Sequence, residues 1–162
     1  MSGEGMLAGA SLLSRPAEEF ENDQTIEAMW AMKALEHAEI YFNILCSVDP
    51  RLLRLTPNDD AIYKTFREEF PNLDVKVLNE NEMKSPEGKQ KWRPFCEKFK
   101  NSVENYSFGT LIRIDSEGEY TEENSMFTTR IQFFAVELAR NREGCNDGIR
   151  TKYKPCKTEQ KS

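Results

Sequence analysis

Residues 24–48 read QTIEAMWAMKALEHAEIYFNILCSV, and this stretch decides the class of fold. Ile26, Met29, Trp30, His37, Ile40, Tyr41, Ile44 and Val48 recur at steps of three and four, the spacing of one helical face. Ala28, Met32 and Leu35 add apolar character on another side, so the first half is expected to be buried most of the way round. Asn22 or Asp23 offers a capping oxygen at the start. Asp49-Pro50 ends the run, because a proline ring disfavours helical geometry in the residue before it. At 1.5 Å per residue the helix is about 37 Å long, enough to cross a whole domain.

Working outward, Thr56-Pro57-Asn58-Asp59 opens a second helix. Thr56 caps it, Pro57 suits its first position, and Asp59 sits where an acid reaches back to the cap. Ile62, Tyr63, Phe66 and Phe70 form its inner face and Pro71 stops it. Leu73, Val75 and Val77 alternate with Asp74 and Lys76 as in a short half-buried strand. Asn79 can cap a single turn through Met83, and Ser85-Pro86 opens a helix carrying Trp92, Phe95, Phe99 and Val103. Pro94 lacks an N–H and crowds the preceding turn, which predicts a kink or break near Arg93. Residues 109–115 (GTLIRID) make the best strand, followed by a Ser116-Glu117-Gly118 turn, and 73–77 is the simplest partner for a ribbon. A last helix is expected over about Phe127 to Glu143, with Ile131, Phe134, Ala135, Leu138 and Ala139 inward and Gly144 as its stop. The expected fold is mainly α: a compact orthogonal helical domain of about four to five helices plus a two-stranded antiparallel ribbon. Residues 1–20 read as a flexible arm, 21–144 as one globular domain, and 145–162 as a disordered basic tail.

Charge is uneven along the chain. Residues 145–162 carry five Lys/Arg against two Asp/Glu, so with −6 overall the remainder carries −9. So acidic a body repels phosphate backbones, which argues against DNA as a partner and favours a basic protein. No apolar run approaches the ~20 residues that span a bilayer. Met6 to Leu13 is apolar but lacks the basic flank of a secretory signal. Cys46, Cys96, Cys145 and Cys156 are widely spaced and read as reduced thiols, which gives a cytoplasmic expectation.

Catalytic equipment is sparse. His37 is the single histidine and sits mid-helix on an apolar face, where a packed structural role is the simpler reading. No C-x-x-C pair, Walker loop or G-x-G-x-x-G turn occurs, so no metal site and no cofactor is expected. Asp59-Asp60, Glu68-Glu69 and Glu122-Glu123 are sequence neighbours; on a helix such neighbours diverge and do not form an acid/base pair. Two segments invite a partner-binding role. In Lys91-Trp92-Arg93-Pro94, a tryptophan and an arginine, the commonest interface anchors, meet a helix break; a core tryptophan with Arg93 laid over it is the competing reading. In Tyr120-Thr121-Glu122-Glu123-Asn124, a polar loop follows the best strand; a structural role, with Thr121 capping a turn, is the competing reading. Arg130, Arg140 and Arg142 offer a basic stripe along the last helix for a partner, with ordinary solvated charge as the competing reading.

Four segments carry a resemblance: AMWAMKALEHAEIYFNILCSVDP (28–50), KWRPFCEKF (91–99), YSFGTLIRID (106–115) and EGEYTEENSMFTTRIQFFAVELARNREG (117–144). In this order, over about residues 20–144, the chain resembles the eukaryotic polysaccharide-biosynthesis-domain-containing family. The resemblance implies a compact, mainly helical fold. It also implies a dedicated chaperone for translation elongation factor 1-alpha, working at the ribosome with the nascent polypeptide-associated complex to protect the factor's emerging GTP-binding domain. Relatives often carry long, charged, acidic tails, whereas the segment after Gly144 is short and basic here. Despite the family's name, the residues themselves offer no sugar-donor loop. The expected function is therefore a non-enzymatic binding protein; the alternatives are a carboxylate-dependent enzyme of carbohydrate metabolism and a passive adaptor.

Overall fold

The structure, a computed structural model, describes residues 24–153, with side chains from Ala28 onward. The N-terminal arm, the Asn22/Asp23 cap and residues 154–162 lie outside the described residues. In chain order the elements are α1 (Gln24–Ser47), a 3-10 turn (Pro50–Leu52), α2 (Asp59–Glu69), α3 (Glu80–Lys84), α4 (Pro86–Lys98), β1 (Gly109–Arg113), β2 (Ser125–Thr129), α5 (Arg130–Glu143) and α6 (Ile149–Lys152). The described part is thus mainly helical with one two-stranded antiparallel ribbon, as expected.

Local chemistry starts and stops these helices. Asp49 accepts the Arg51 amide at 3.0 Å and turns the chain out of α1. Thr56 Oγ1 accepts the Asn58 amide at 2.8 Å, while the Asp59 carboxylate accepts the amides of Leu55 (2.8 Å) and Thr56 (2.7 Å). Asn79 and Ser85 cap α3 and α4 through the amides of Glu82 and Gly88. Thr129 and Gln132 form a reciprocal capping box on α5, and Gly144 ends that helix at φ 89°, a left-handed conformation that suits glycine.

α5 is the centre of the core. From Phe133 to Asn141 every one of its residues is buried. α1 and the ribbon pack against it, and Ile62 and Phe66 of α2 and Trp92 and Phe95 of α4 join the same core. A helix surrounded in this way needs apolar residues on all sides, and the run IQFFAVELA supplies them.

Five expectations are corrected. First, α1 buries Ala34, Ala38, Tyr41 and Leu45, and not the stripe of larger aliphatics. Ile40 is 61% exposed, Met32 66% and Leu35 54%. The two alanines let the helix approach the ribbon closely, and the ribbon covers one side only, so the first half is not enclosed. Gly109 marks how close the approach is: a Cβ there would fall 2.1 Å from the Trp30 ring. Second, β1 pairs with β2, Gly109 opposite Thr129 through Arg113 opposite Ser125, and not with 73–77. Residues 76–78 meet the end of β1 in one isolated bridge, Val77 to Asp115. Asp74 accepts from the Lys76 amide at 2.9 Å and Arg140 donates to the Val75 carbonyl at 2.6 Å, which occupies groups that a ladder would use. Third, residues 125–129 are therefore strand, and the last helix starts at Arg130. Fourth, α4 runs through Pro94 unbroken. Pro94 and Gln90 are both exposed, so the carbonyl that loses its helical donor faces solvent. Fifth, residues 145–153 are ordered: Ile149 is buried and Tyr153 packs edge-on against Phe42, with ring centroids 5.5 Å apart.

Candidate binding surface

Arg113 ends β1 with its side chain turned inward and fully buried. Its Nη1 donates to the carbonyls of Ser116 (2.6 Å) and Gly118 (3.0 Å), and its Nη2 to Asn146 Oδ1 (2.7 Å). The guanidinium also lies 5.7 Å from the Phe42 ring and 5.9 Å from the Tyr120 ring. Arg140 is equally buried. Its Nε donates to the Val75 carbonyl and its Nη2 to the carbonyls of Arg113 (2.8 Å) and Ile114 (3.0 Å). Glu137 sits between the two cations, 2.7 Å from Arg140 and 3.5 Å from Arg113. Tyr41 and Asn146 donate to its Oε1 at 2.8 and 3.0 Å.

Burial alone would raise the Glu137 carboxyl, but the charges of Arg140 and Arg113 outweigh it and hold the group below the usual carboxylate range. Burial, and then the neighbouring Glu137 charge, push the Tyr41 phenol well above its ordinary value. Every carboxylate oxygen of Glu137 has a donor, as a buried charge requires.

This network supports the loop that the sequence singled out. Arg113 ties it from beneath, and Asn124 ties it from within. Asn124 Oδ1 accepts the Asp115 amide at 2.8 Å, and Asn124 Nδ2 donates to the carbonyls of Asp115 (3.1 Å) and Glu119 (3.0 Å). Tyr120 lies with its hydroxyl donating to the Leu111 carbonyl at 3.3 Å. Tyr120 and Asn124 therefore hold the loop in shape, while Glu119, Glu122 and Glu123 are exposed and form no ion pair among the described residues. The surface is a preformed acidic projection.

The other sequence-selected residues are not brought to it. Trp92 is 4% exposed and stacks on Phe70 (4.4 Å) and Phe66 (5.7 Å), so it is a core residue; Arg93, next to it, is exposed. The arginine stripe does not form. Ten residues turn a helix by about 280° and two more by about 200°, so the three side chains leave α5 in different directions. Arg130 lies over the Phe134 ring at 5.2 Å, Arg140 is interior, and Arg142 donates to Asp60 at 2.7 Å and covers Tyr63 at 5.2 Å.

Structural roles account for the remaining titratable candidates. Asp59 caps its own loop and Asp60 pairs with Arg142, so these acids belong to α2 while Glu122 and Glu123 belong to the loop after β1. His37 Nδ1 is 3.1 Å from Thr110 Oγ1 and its ring meets Phe133 edge-on at 5.2 Å. Burial, and then the charge of Arg130, lower its pKa. Among the described residues no three His, Cys, Asp or Glu side chains group as metal ligands, and no helix is long and apolar enough to cross a membrane. Sequence reasoning missed Arg113, Glu137 and Asn146. Nothing in an isolated arginine at a strand end distinguishes an inward from an outward side chain.

The family described as PBDC1 protein matches residues 26–151 of the chain. Protein PBDC1 of Mus musculus is 53% identical over 149 residues, covering 92% of this chain and 75% of the mouse protein. Protein PBDC1 of Homo sapiens is 52% identical over 149 residues, covering 92% of this chain and 64% of its own length, so the chain spans just under two thirds of the human relative. The solution NMR structure of a Saccharomyces cerevisiae protein superimposes with a TM-score of 0.75 at 43% identity, covering 85% of this chain and 97% of that one. A match running from α1 to α6, with a shared fold at this identity, means that the chain belongs to the PBDC1 family.

Proposed function

We propose that the protein is a non-catalytic, cytoplasmic binding protein that chaperones the GTP-binding domain of translation elongation factor 1-alpha during synthesis, alongside the nascent polypeptide-associated complex at the ribosome. The family resemblance supplies the client. The observation that carries a binding role is the loop over residues 115–123. It has five carboxylates in nine residues, and Arg113 from beneath and Asn124 from within hydrogen-bond its backbone. A preordered acidic projection loses little conformational freedom on docking and is complementary to a basic translation-factor surface. Chemistry on a substrate finds less support, because the acids weighed for it already cap helices, pair with arginines or face solvent.

The test is recovery of bound proteins from translating cytosol, with and without release of nascent chains by puromycin. Enrichment of elongation factor 1-alpha that falls on release supports the reading. Equal capture of the mature factor would indicate an adaptor, and an intrinsic GTPase or glycosyl-transfer rate lost on mutation of one acid would indicate an enzyme.

A further inference from the structure

The segment around Trp92 has an exposed counterpart that the acidic loop does not use. Between the end of α2 and the starts of α3 and α4 lies an open groove of about 710 Å³. The half-buried Phe70 and Leu73 line its apolar part over the edges of the buried Met83 and Trp92, and Glu69, Glu82, Glu87 and Lys91 lie along its polar rim. The rim is built rather than incidental. A Cβ on Gly88 would fall 2.2 Å from the Glu82 carbonyl oxygen, so only glycine lets α4 start this close to α3. Glu82 and Glu87 both line the groove beside this junction. Lys98 engages Glu69, and Lys84 pairs with Glu80. Glu82, Glu87 and Lys91 form no ion pair among the described residues, which leaves two uncommitted carboxylates against one ammonium, on a chain of net charge −6.

We propose that this groove docks a basic, extended segment of a partner protein that carries an apolar side chain between lysines or arginines. The apolar floor accepts the aliphatic or aromatic side chain, and Glu82 and Glu87 meet the flanking cations. Nucleic acid does not fit, because carboxylates on the rim repel phosphate. The inference concerns a different surface from the acidic loop and does not depend on which client the protein serves, so peptide binding here and client capture can fail independently.

The test is a titration of the ¹⁵N-labelled full chain with a short synthetic peptide of alternating lysine and leucine. Two control peptides replace every lysine by glutamate or every leucine by serine. Saturable shifts of the Gly88 amide and the Trp92 indole N–H are expected with the first peptide, with weaker binding at higher salt. The serine peptide binds more weakly and the glutamate peptide not at all. Glu82→Lys/Glu87→Lys weakens binding by about tenfold or more, as expected for reversing two rim charges. Both positions are exposed, so an unchanged urea midpoint confirms that the variant is folded. Shifts confined to residues 115–123, or unchanged affinity in the double variant, overturn the proposal. So do shifts of Gly88 and Trp92 that appear without peptide as protein concentration rises, which would mark a second copy as the occupant. Shifts of the same signals on Lys154→Ser/Lys157→Ser without peptide overturn it as well, by marking the chain's own C-terminal segment.

Discussion

Arg140 donates to Glu137 at 2.7 Å, one turn back along the same helix, and both side chains are completely buried. Arg113 approaches the same carboxylate from the ribbon at 3.5 Å. One anion is thus shared by two cations, and those cations hold the carbonyls where the ribbon, residues 75–78 and the acidic loop meet.

Removing the shared anion leaves two buried guanidinium groups facing each other. Glu137→Gln is therefore expected to destabilise the fold by about 3–5 kcal/mol, although it preserves shape. Arg140→Ala should lose a similar amount and also remove the side-chain donor to the Val75 and Arg113 carbonyls, while the Ile114 carbonyl keeps the Leu78 amide at 2.9 Å. Urea midpoints at constant slope measure both changes.

Glu137 also predicts an acid limit. Its folded pKa lies below its ordinary value of 4.5. The unfolded chain therefore binds the proton first as pH falls, and the stabilisation, complete above pH 4.5, is lost as pH drops through the folded value. In the Gln variant this component of acid unfolding is absent, which urea titration between pH 5 and 2 detects.

His37 gives a second, separate window. Its folded pKa is lowered from 6.5 by burial and by Arg130. Here too the unfolded state takes the proton first, so stability is complete above pH 6.5 and declines as pH falls from there toward the folded value. His37→Gln should flatten the urea midpoint over pH 7 to 5 while leaving the acid limit in place.

The acidic loop separates shape from charge. Asn124→Ala removes three internal hydrogen bonds and is expected to cost about 1–3 kcal/mol, with faster hydrogen exchange at the Asp115 amide. Glu122→Lys/Glu123→Lys alters exposed residues and should change stability by no more than about 0.5 kcal/mol per site. Loss of partner capture in the lysine variant, at unchanged stability, is the expected result.

Trp92 and Arg93 differ sharply despite being neighbours. Trp92→Ala empties a stack with Phe66 and Phe70 and should cost about 3–5 kcal/mol. Arg93→Ala at an exposed position should stay within about 0.5 kcal/mol of the parent. A binding defect in the tryptophan variant alone would reflect unfolding, and thermal melts of both distinguish the two.

Much of the helical skeleton was legible because its signals are local. The Asn79 and Ser85 caps and the Gly144 stop each depend on groups within a few residues, as does the Thr56–Asp59 turn, although α2 itself begins at Asp59 behind Asn58 and not at Pro57. The Thr129-x-x-Gln132 box that starts α5 was equally local, and reading it would have separated the second strand from the last helix. Within the acidic loop, Glu122 and Glu123 were recognisable as exposed carboxylates. The inward turn of Arg113 beneath the loop was not, because its guanidinium is anchored on Asn146, 33 residues away in sequence.

The amino-acid sequence by itself determined the mainly helical class, the chain's negative charge and most helix ends, since periodicity, composition and capping act within one or two turns. Only the tertiary structure decided which side of α1 is covered, which segment pairs with β1, and that Arg113 and Arg140 are interior. Small alanines at 34 and 38 admit the ribbon more closely than the larger Ile40 and Ile44 would. An arginine becomes a core residue only where a buried carboxylate and several carbonyls converge to replace its water.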